Sequence, residues 1–202
     1  MVKYMYILSL KGENQMRKTV IVNLYGAPGA GKSTGSAYIF GQLKMNNISV
    51  ELVREFVKDK IYEKSEGVFN DQVYILGKQH FRQTNVKGNV DVIITDCPLI
   101  IQAYYTDKYK FPYADELRQL VLKLYSLENN INYFVNRDKP YNPDGRFQTE
   151  ADSDSISGNL KEYLDNLGVE YKEINGNITD YDSVVADIIK IVRGTNEENY
   201  SG

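Results

Sequence analysis

The chain has 202 residues, 42% of them hydrophobic, enough for one compact domain with a substantial core and tight for two. A formal net charge of −3 gives no electrostatic footprint for gripping a nucleic-acid backbone, so the expected partners are small molecules, free nucleotides or nucleosides among them. The single cysteine, Cys97, excludes an internal disulfide, and no secretory signal or long apolar span is read, so a cytoplasmic location is expected.

In chain order, residues 1–15, MVKYMYILSLKGENQ, read as a flexible extension whose apolar patch is too short for a secretory signal. Met16 stands three residues before the first core strand and offers an alternative start. The domain is expected over 16–194, followed by a polar, disordered tail over 195–202. The first strand, Thr19 to Tyr25, is β-branched and apolar, and a helix is expected from Lys32 to about Asn46.

Between them lies GAPGAGKST, a full match to G-x-x-x-x-G-K-[ST] in the strand-then-helix context its mechanism requires. Glycines at 26, 29 and 31 let successive backbone N–H groups converge on phosphate oxygens, and the following helix N-terminus adds its positive dipole end. Gly26, Ala27, Pro28, Gly29, Ala30, Gly31, Lys32, Ser33 and Thr34 are therefore the candidate nucleotide-binding residues. Lys32 is expected to reach the β- and γ-phosphates of ATP, and the Ser33 hydroxyl to ligate Mg²⁺.

Strand-like and helix-like segments then alternate. Strands are expected at Ile48 to Val53, Val90 to Thr95, Ile131 to Val135 and 169–174, and helices at about 70–85, 114–129, 153–167 and 183–192. In the helix over 114–129, Leu117, Leu120, Val121, Leu124 and Leu127 share one face. Near-continuous apolar strands separated by helices predict an α/β fold: three layers, with a parallel sheet covered by helices on both faces. Ligands in such sheets bind at the carboxyl ends of the strands.

Three of those ends carry informative residues. The second strand delivers VREF, with Arg54 and Glu55; the third delivers TDCP, with Asp96; the fourth runs into RDKPYNPDGRFQTE. Asp96 reads as the carboxylate of the Mg²⁺ shell. Its neighbours are Cys97 and Pro98, where many ATP-driven machines carry a water-orienting glutamate, which favours transfer to a substrate over hydrolysis. The loop from Arg137 to about Ala151, with Arg137 and Arg146, reads as a lid whose arginines neutralise charge on a transferred phosphoryl group. Glu55 is the candidate base for an acceptor hydroxyl. Around Gln79, the helix offers an amide plus Tyr74 and Phe81 as a stacking surface, with Asn70 as its cap. His80 receives no role, Cys97 reads as a small buried hydrophobe, and Arg82 and Arg118 read as solvated helix charges.

GAPGAGKST, VREF, DQVYILGKQ, ITDCPLI and the run from Arg137 to Ile174 together resemble the nicotinamide riboside kinase-type AAA family, including its phage-encoded members, over roughly residues 19–175. The resemblance implies a P-loop kinase fold that transfers the γ-phosphate of ATP to a nucleoside-like acceptor. It places the family's acidic residue at Glu55, its amide at Gln79 and its aspartate at Asp96. The D-G-x-R lid signature is departed from, because Arg146 directly follows Asp144 and Gly145. Two other readings stay open at this stage: a nucleoside monophosphate kinase, with Arg54, Arg82 or Arg118 holding the acceptor's phosphate, and a nucleotide-gated binding or regulatory ATPase.

Overall fold

The structure, a computed structural model, describes residues 18–142 and 149–200. Among the described residues five parallel strands form one sheet: β1 (Val20–Tyr25), β2 (Val50–Val53), β3 (Val92–Thr95), β4 (Asn129–Asn136) and β5 (Lys172–Asn175), in the order β2-β3-β1-β4-β5. Register is set from the centre, with Val20 opposite Val92 on one side and Asn129 on the other. Every residue of β1 is buried, as expected of the middle strand of a sheet covered on both faces.

Alternation along β1 sends Val20, Val22 and Leu24 to one face, where they pack with Ile39 and Leu43 of α1 (Lys32–Met45) and Val184, Ile188 and Val192 of α7 (Ile178–Tyr200). Tyr25 faces the other way. There it joins Phe134 of β4 and side chains from α4 (Ile100–Lys108), α5 (Ala114–Ser126) and α6 (Glu150–Asn166), among them Ile100, Val121 and Leu160. The three-layer α/β architecture expected from the sequence is thus present.

Several boundaries differ from the sequence reading, each for a local reason. Two helices were not foreseen, α2 (Phe56–Tyr62) and α4, and a short 3₁₀ turn (Glu66–Asn70) precedes α3 (Gln72–Thr84). The cap of α3 is Asp71, whose carboxylate accepts from the Tyr74 N–H at 2.9 Å, one residue beyond the Asn70 expected for that role. α6 starts at Glu150, ahead of Ser153, because Thr149 and Asp152 form a reciprocal capping box. α7 starts at Ile178, ahead of Ser183, because the Asn177 side chain accepts from the Asp180 N–H at 3.0 Å. It also runs on to Tyr200, where the sequence reading has a disordered tail from 195: the segment contains no proline, and a helix already anchored on the sheet extends by one hydrogen bond per residue. The extension over 1–15 lies outside the described residues. No helix among the described residues is long and apolar enough to cross a membrane.

All strands being parallel, their carboxyl ends share one edge of the sheet. That edge presents the Gly26 turn after β1, Glu55 after β2, Asp96 after β3, Arg137 after β4 and Gly176 after β5.

Candidate active site

The loop between β1 and α1 is shaped by close backbone approach. Gly26 has φ +141°, and a Cβ there would lie 2.6 Å from the Val135 carbonyl oxygen of β4. From the other side Gly176 seals the loop: its N–H donates to the Asn136 carbonyl at 2.9 Å, and a Cβ on it would overlap the Ala30 carbonyl oxygen. The Tyr181 hydroxyl of α7 donates to the Gly31 carbonyl at 3.1 Å, and the Ser153 hydroxyl of α6 to the Pro28 carbonyl at 2.7 Å. The phosphate loop is therefore fixed by β4, the β5 turn, α6 and α7 together. Lys32 folds over it, its Nζ donating to the Gly26 and Ala27 carbonyls at 2.7 and 3.0 Å.

Asp96, 7% exposed, ties three elements together. Its Oδ2 accepts from the Ser33 hydroxyl at 2.6 Å, and its Oδ1 from the backbone N–H of Glu55 at 3.1 Å. Positions 33, 55 and 96, from the start of α1 and the ends of β2 and β3, thus lie together. Ser33 and Asp96 form a pair of hard oxygen donors that suits Mg²⁺, which usually binds one or two carboxylates and completes its shell with phosphate oxygens and water. Among the described residues no group of three or more His, Cys, Asp or Glu side chains assembles, and such a shell needs none.

Glu55 is the N-cap residue of α2, yet its side chain makes no capping hydrogen bond. Burial raises its carboxyl above the ordinary glutamate range, the Lys32 ammonium pulls it back, and the Asp96 charge raises it further. A carboxylate so placed, off the helix and beside Lys32 and Asp96, is available to a ligand. The Cys97 thiol, adjacent and buried, is pushed well up by desolvation and then by Glu55 and Asp96, so it stays a neutral thiol.

The other predicted residues divide. Gln79 is 1% exposed, and its Oε1 accepts from the Phe56 N–H at 3.0 Å, capping α2 from a distance; its Nε2 is buried without a partner. Tyr74 packs edge-on against Phe56, with ring centroids 5.6 Å apart, whereas Phe81 is 64% exposed on a groove beside β2, away from the phosphate loop. The Arg137 guanidinium pairs with Asp154 at 2.6 Å and Glu150 at 3.2 Å in the first two turns of α6, and one of its nitrogens, Nη1, is buried without a partner. Arg146, with Asp144 and Gly145, lies outside the described residues. Arg82 and Arg118, read as solvated charges, are ion-paired: Arg82 with Asp59 at 2.8 Å, Arg118 with Asp107 at 2.7 Å and with Asp115.

A cavity of about 320 Å³ opens on the opposite side of the phosphate loop from Glu55. Thr34, Tyr38, Asp138, Asn142, Asn177 and Tyr181 contribute to its walls, and the Asn177 amide donates to Asp138 Oδ2 at 3.2 Å. Burial raises the Tyr181 phenol to about 12, with the Asp138 and Asp180 charges adding to the shift, so it remains a hydroxyl donor. The sequence reading missed this cavity; the signal for it is N-G-N at the end of β5, a glycine turn flanked by amides where ligands are expected.

Comparison with known proteins finds the same fold in solved structures. A NadR protein solved in complex with NR is similar with a TM-score of 0.66 at 17% identity, over 88% of this chain and 52% of that one. A NadR protein in complex with NAD and AMP-PNP gives a TM-score of 0.59 at 16% identity, over 88% and 50%. The thymidylate kinase from Ehrlichia chaffeensis gives 0.55 at 16%, over 88% and 99%. The chain thus spans about half the length of the NadR chains. No match is found among curated protein sequences. The model of an AAA domain family matches residues 21–180. That span holds the phosphate loop, Glu55, Asp96 and all five strands apart from the first residue of β1, so the chain belongs to this AAA domain family and carries the P-loop kinase fold.

Proposed function

We propose that the protein is an ATP-dependent small-molecule kinase that moves the γ-phosphoryl group of Mg·ATP to a nucleoside or riboside-type acceptor. The observation that carries this reading is the Ser33–Asp96 pair set between Lys32 and Glu55, with Cys97 where a water-orienting glutamate would stand. Ser33 and Asp96 would hold Mg²⁺, which supplies Lewis-acid neutralisation of phosphate charge. Lys32 turns from the Gly26 and Ala27 carbonyls to the β- and γ-phosphates as the loop N–H groups close on them. Glu55 orients the acceptor hydroxyl and takes its proton, a role its raised carboxyl suits better than an ordinary glutamate's. Gln79 is a positioning residue: by holding the Phe56 N–H it fixes the start of α2 and with it Glu55. The described part of the lid loop places Arg137 at the mouth of β4, where it is held by α6.

The NadR proteins in complex with NR and with AMP-PNP support the acceptor and donor classes by likeness of fold. The thymidylate kinase, matched over 99% of its length, favours the monophosphate kinase as second reading. Against that reading, two of its three candidate arginines, Arg82 and Arg118, are engaged with carboxylates of their own chain, while Arg54 stands exposed after β2. A mass-spectrometric screen of nucleosides, ribosides and monophosphates with Mg·ATP separates the readings. A phosphorylated nucleoside or riboside is expected; product from monophosphates alone establishes the second reading, and ADP formed without any phosphorylated acceptor refutes both.

A further inference from the structure

The cavity beside α1 bears on which nucleotide donates the phosphate. This inference rests on the kinase reading of the phosphate loop. The acceptor-side carboxylates, Glu55 and Asp96, follow β2 and β3, on one side of β1, while β4 and β5 lie on the other. A triphosphate seated on Gly26–Thr34 with its γ end toward Glu55 and Asp96 must send its nucleoside half the other way. That direction leads past Thr34 into the cavity of about 320 Å³ between the β4 and β5 ends, a volume in the range of small-ligand sites.

Of the described residues lining that cavity, Asp138 is the one carboxylate. It follows β4 by two positions, and the Asn177 amide after β5 donates to its Oδ2 at 3.2 Å, which tethers this exposed carboxylate between the two strand ends. The two purines present different edges to such a group. Guanine offers two parallel donors, N1–H and the C2 amino group, which match the two oxygens of a carboxylate in a charge-assisted, bidentate contact. Adenine offers one donor, its C6 amino group, next to the N1 lone pair, which a carboxylate oxygen repels. The Asn177 amide nitrogen, a donor, is also of the right type for the guanine O6.

We propose that Asp138, oriented by Asn177, reads the base of the donor nucleotide and that the protein takes GTP as phosphoryl donor at least as well as ATP. The reaction balances as for ATP: the acceptor oxygen forms a bond to the γ-phosphorus, the bond to the β–γ bridging oxygen breaks, GDP leaves, and Glu55 takes the acceptor's proton.

Titration calorimetry of the full chain with Mg²⁺ and each of ATP, GTP, inosine triphosphate and xanthosine triphosphate tests this, on the native sequence and on Asp138→Asn. A bidentate base contact sets the scale at about tenfold or more. For the native chain, GTP is expected to bind at least as tightly as ATP, and inosine triphosphate, which lacks the C2 amino group, several-fold more weakly than GTP. In Asp138→Asn the GTP-to-ATP affinity ratio is expected to fall about tenfold, and xanthosine triphosphate, whose C2 oxygen accepts from the new amide, to gain affinity. That gain cannot come from a misfolded variant. GTP binding tenfold weaker than ATP in the native chain overturns the inference, as does an equal loss of both in Asp138→Asn, which would place the carboxylate on the sugar. In either case the kinase reading stands; it fails separately if no triphosphate binds.

Discussion

At the scale of single residues the account turns on Lys32 and Glu55. Lys32→Ala removes a positive charge from the spreading charge of the transferred phosphoryl group, and its kcat is expected to fall about a hundredfold or more with the melting temperature little changed. An enzyme that kept most of its turnover would contradict the assignment. For Glu55 the sign of the pKa shift gives a pH prediction. Its carboxyl is raised, chiefly by burial, and the base must be ionised to act. kcat/KM should therefore fall with decreasing pH along a limb lying above the ordinary glutamate value of about 4.3. Glu55→Gln should lose that limb together with about a hundredfold to ten-thousandfold in rate. The same shift has the opposite consequence for folding. A raised carboxyl favours the protonated native state, so its stabilising contribution is present below the unfolded value and lost as pH rises through the folded one. Glu55→Gln should consequently melt no lower than the native chain at neutral pH, a result that a purely structural glutamate would not give. These two residues were legible in the sequence because each sits at a fixed offset from a strand or motif. Gln79 was legible only as a polar residue on a helix: its partner, the Phe56 N–H, is 23 positions away, and no local pattern announces a cap supplied from that distance.

Among elements, the phosphate loop owes its shape to neighbours that arrive late in the chain. Gly176 of the β5 turn packs on the Ala30 carbonyl with no room for a methyl group, and its own N–H is bound to Asn136. Gly176→Ala must push the loop or the turn aside, at a cost of about 1–3 kcal/mol for an overpacked site. Because the displaced backbone is the phosphate cradle, ATP affinity should drop along with the melting temperature; calorimetric titration and a thermal melt check the two together, and a variant that melts lower with unchanged affinity would detach the turn from the cradle. Elements with strong apolar periodicity, β1, β3 and α5, were readable. β4 was read short because its first residues, Asn129 and Asn130, look like a loop. They are strand because Asn23 of β1 binds the side chains of Asn130 and Asn132, at 2.9 and 3.0 Å, and so pairs polar groups inside the sheet. α6 and α7 were read late because their caps, Thr149 and Asn177, are polar residues in polar surroundings. The T-x-x-D box before α6 was nonetheless a usable signal.

For the whole molecule, strand order converts a one-dimensional list of polar strand ends into a site with two sides. Placing β3 and β2 on one flank of β1 gathers Asp96 and Glu55 beside Ser33, and placing β4 and β5 on the other opens the cavity of Asp138 and Asn177. The first flank was visible from sequence, since each residue follows an apolar strand directly. The second was not, because Asp138 and Asn177 are 39 residues apart and meet only through the pairing of β4 with β5. On the kinase reading proposed above, such a two-sided site would hold the donor on one side and the acceptor on the other, and the most direct test is to follow the γ-phosphoryl group itself. With radiolabelled γ-phosphate, Mg²⁺ and the acceptor identified by the screen, a single-turnover experiment should place nearly all of the label on the acceptor, with inorganic phosphate at background and no transfer by Lys32→Ala. Label released as inorganic phosphate at the same rate with and without the acceptor would contradict the kinase and leave a hydrolase in its place.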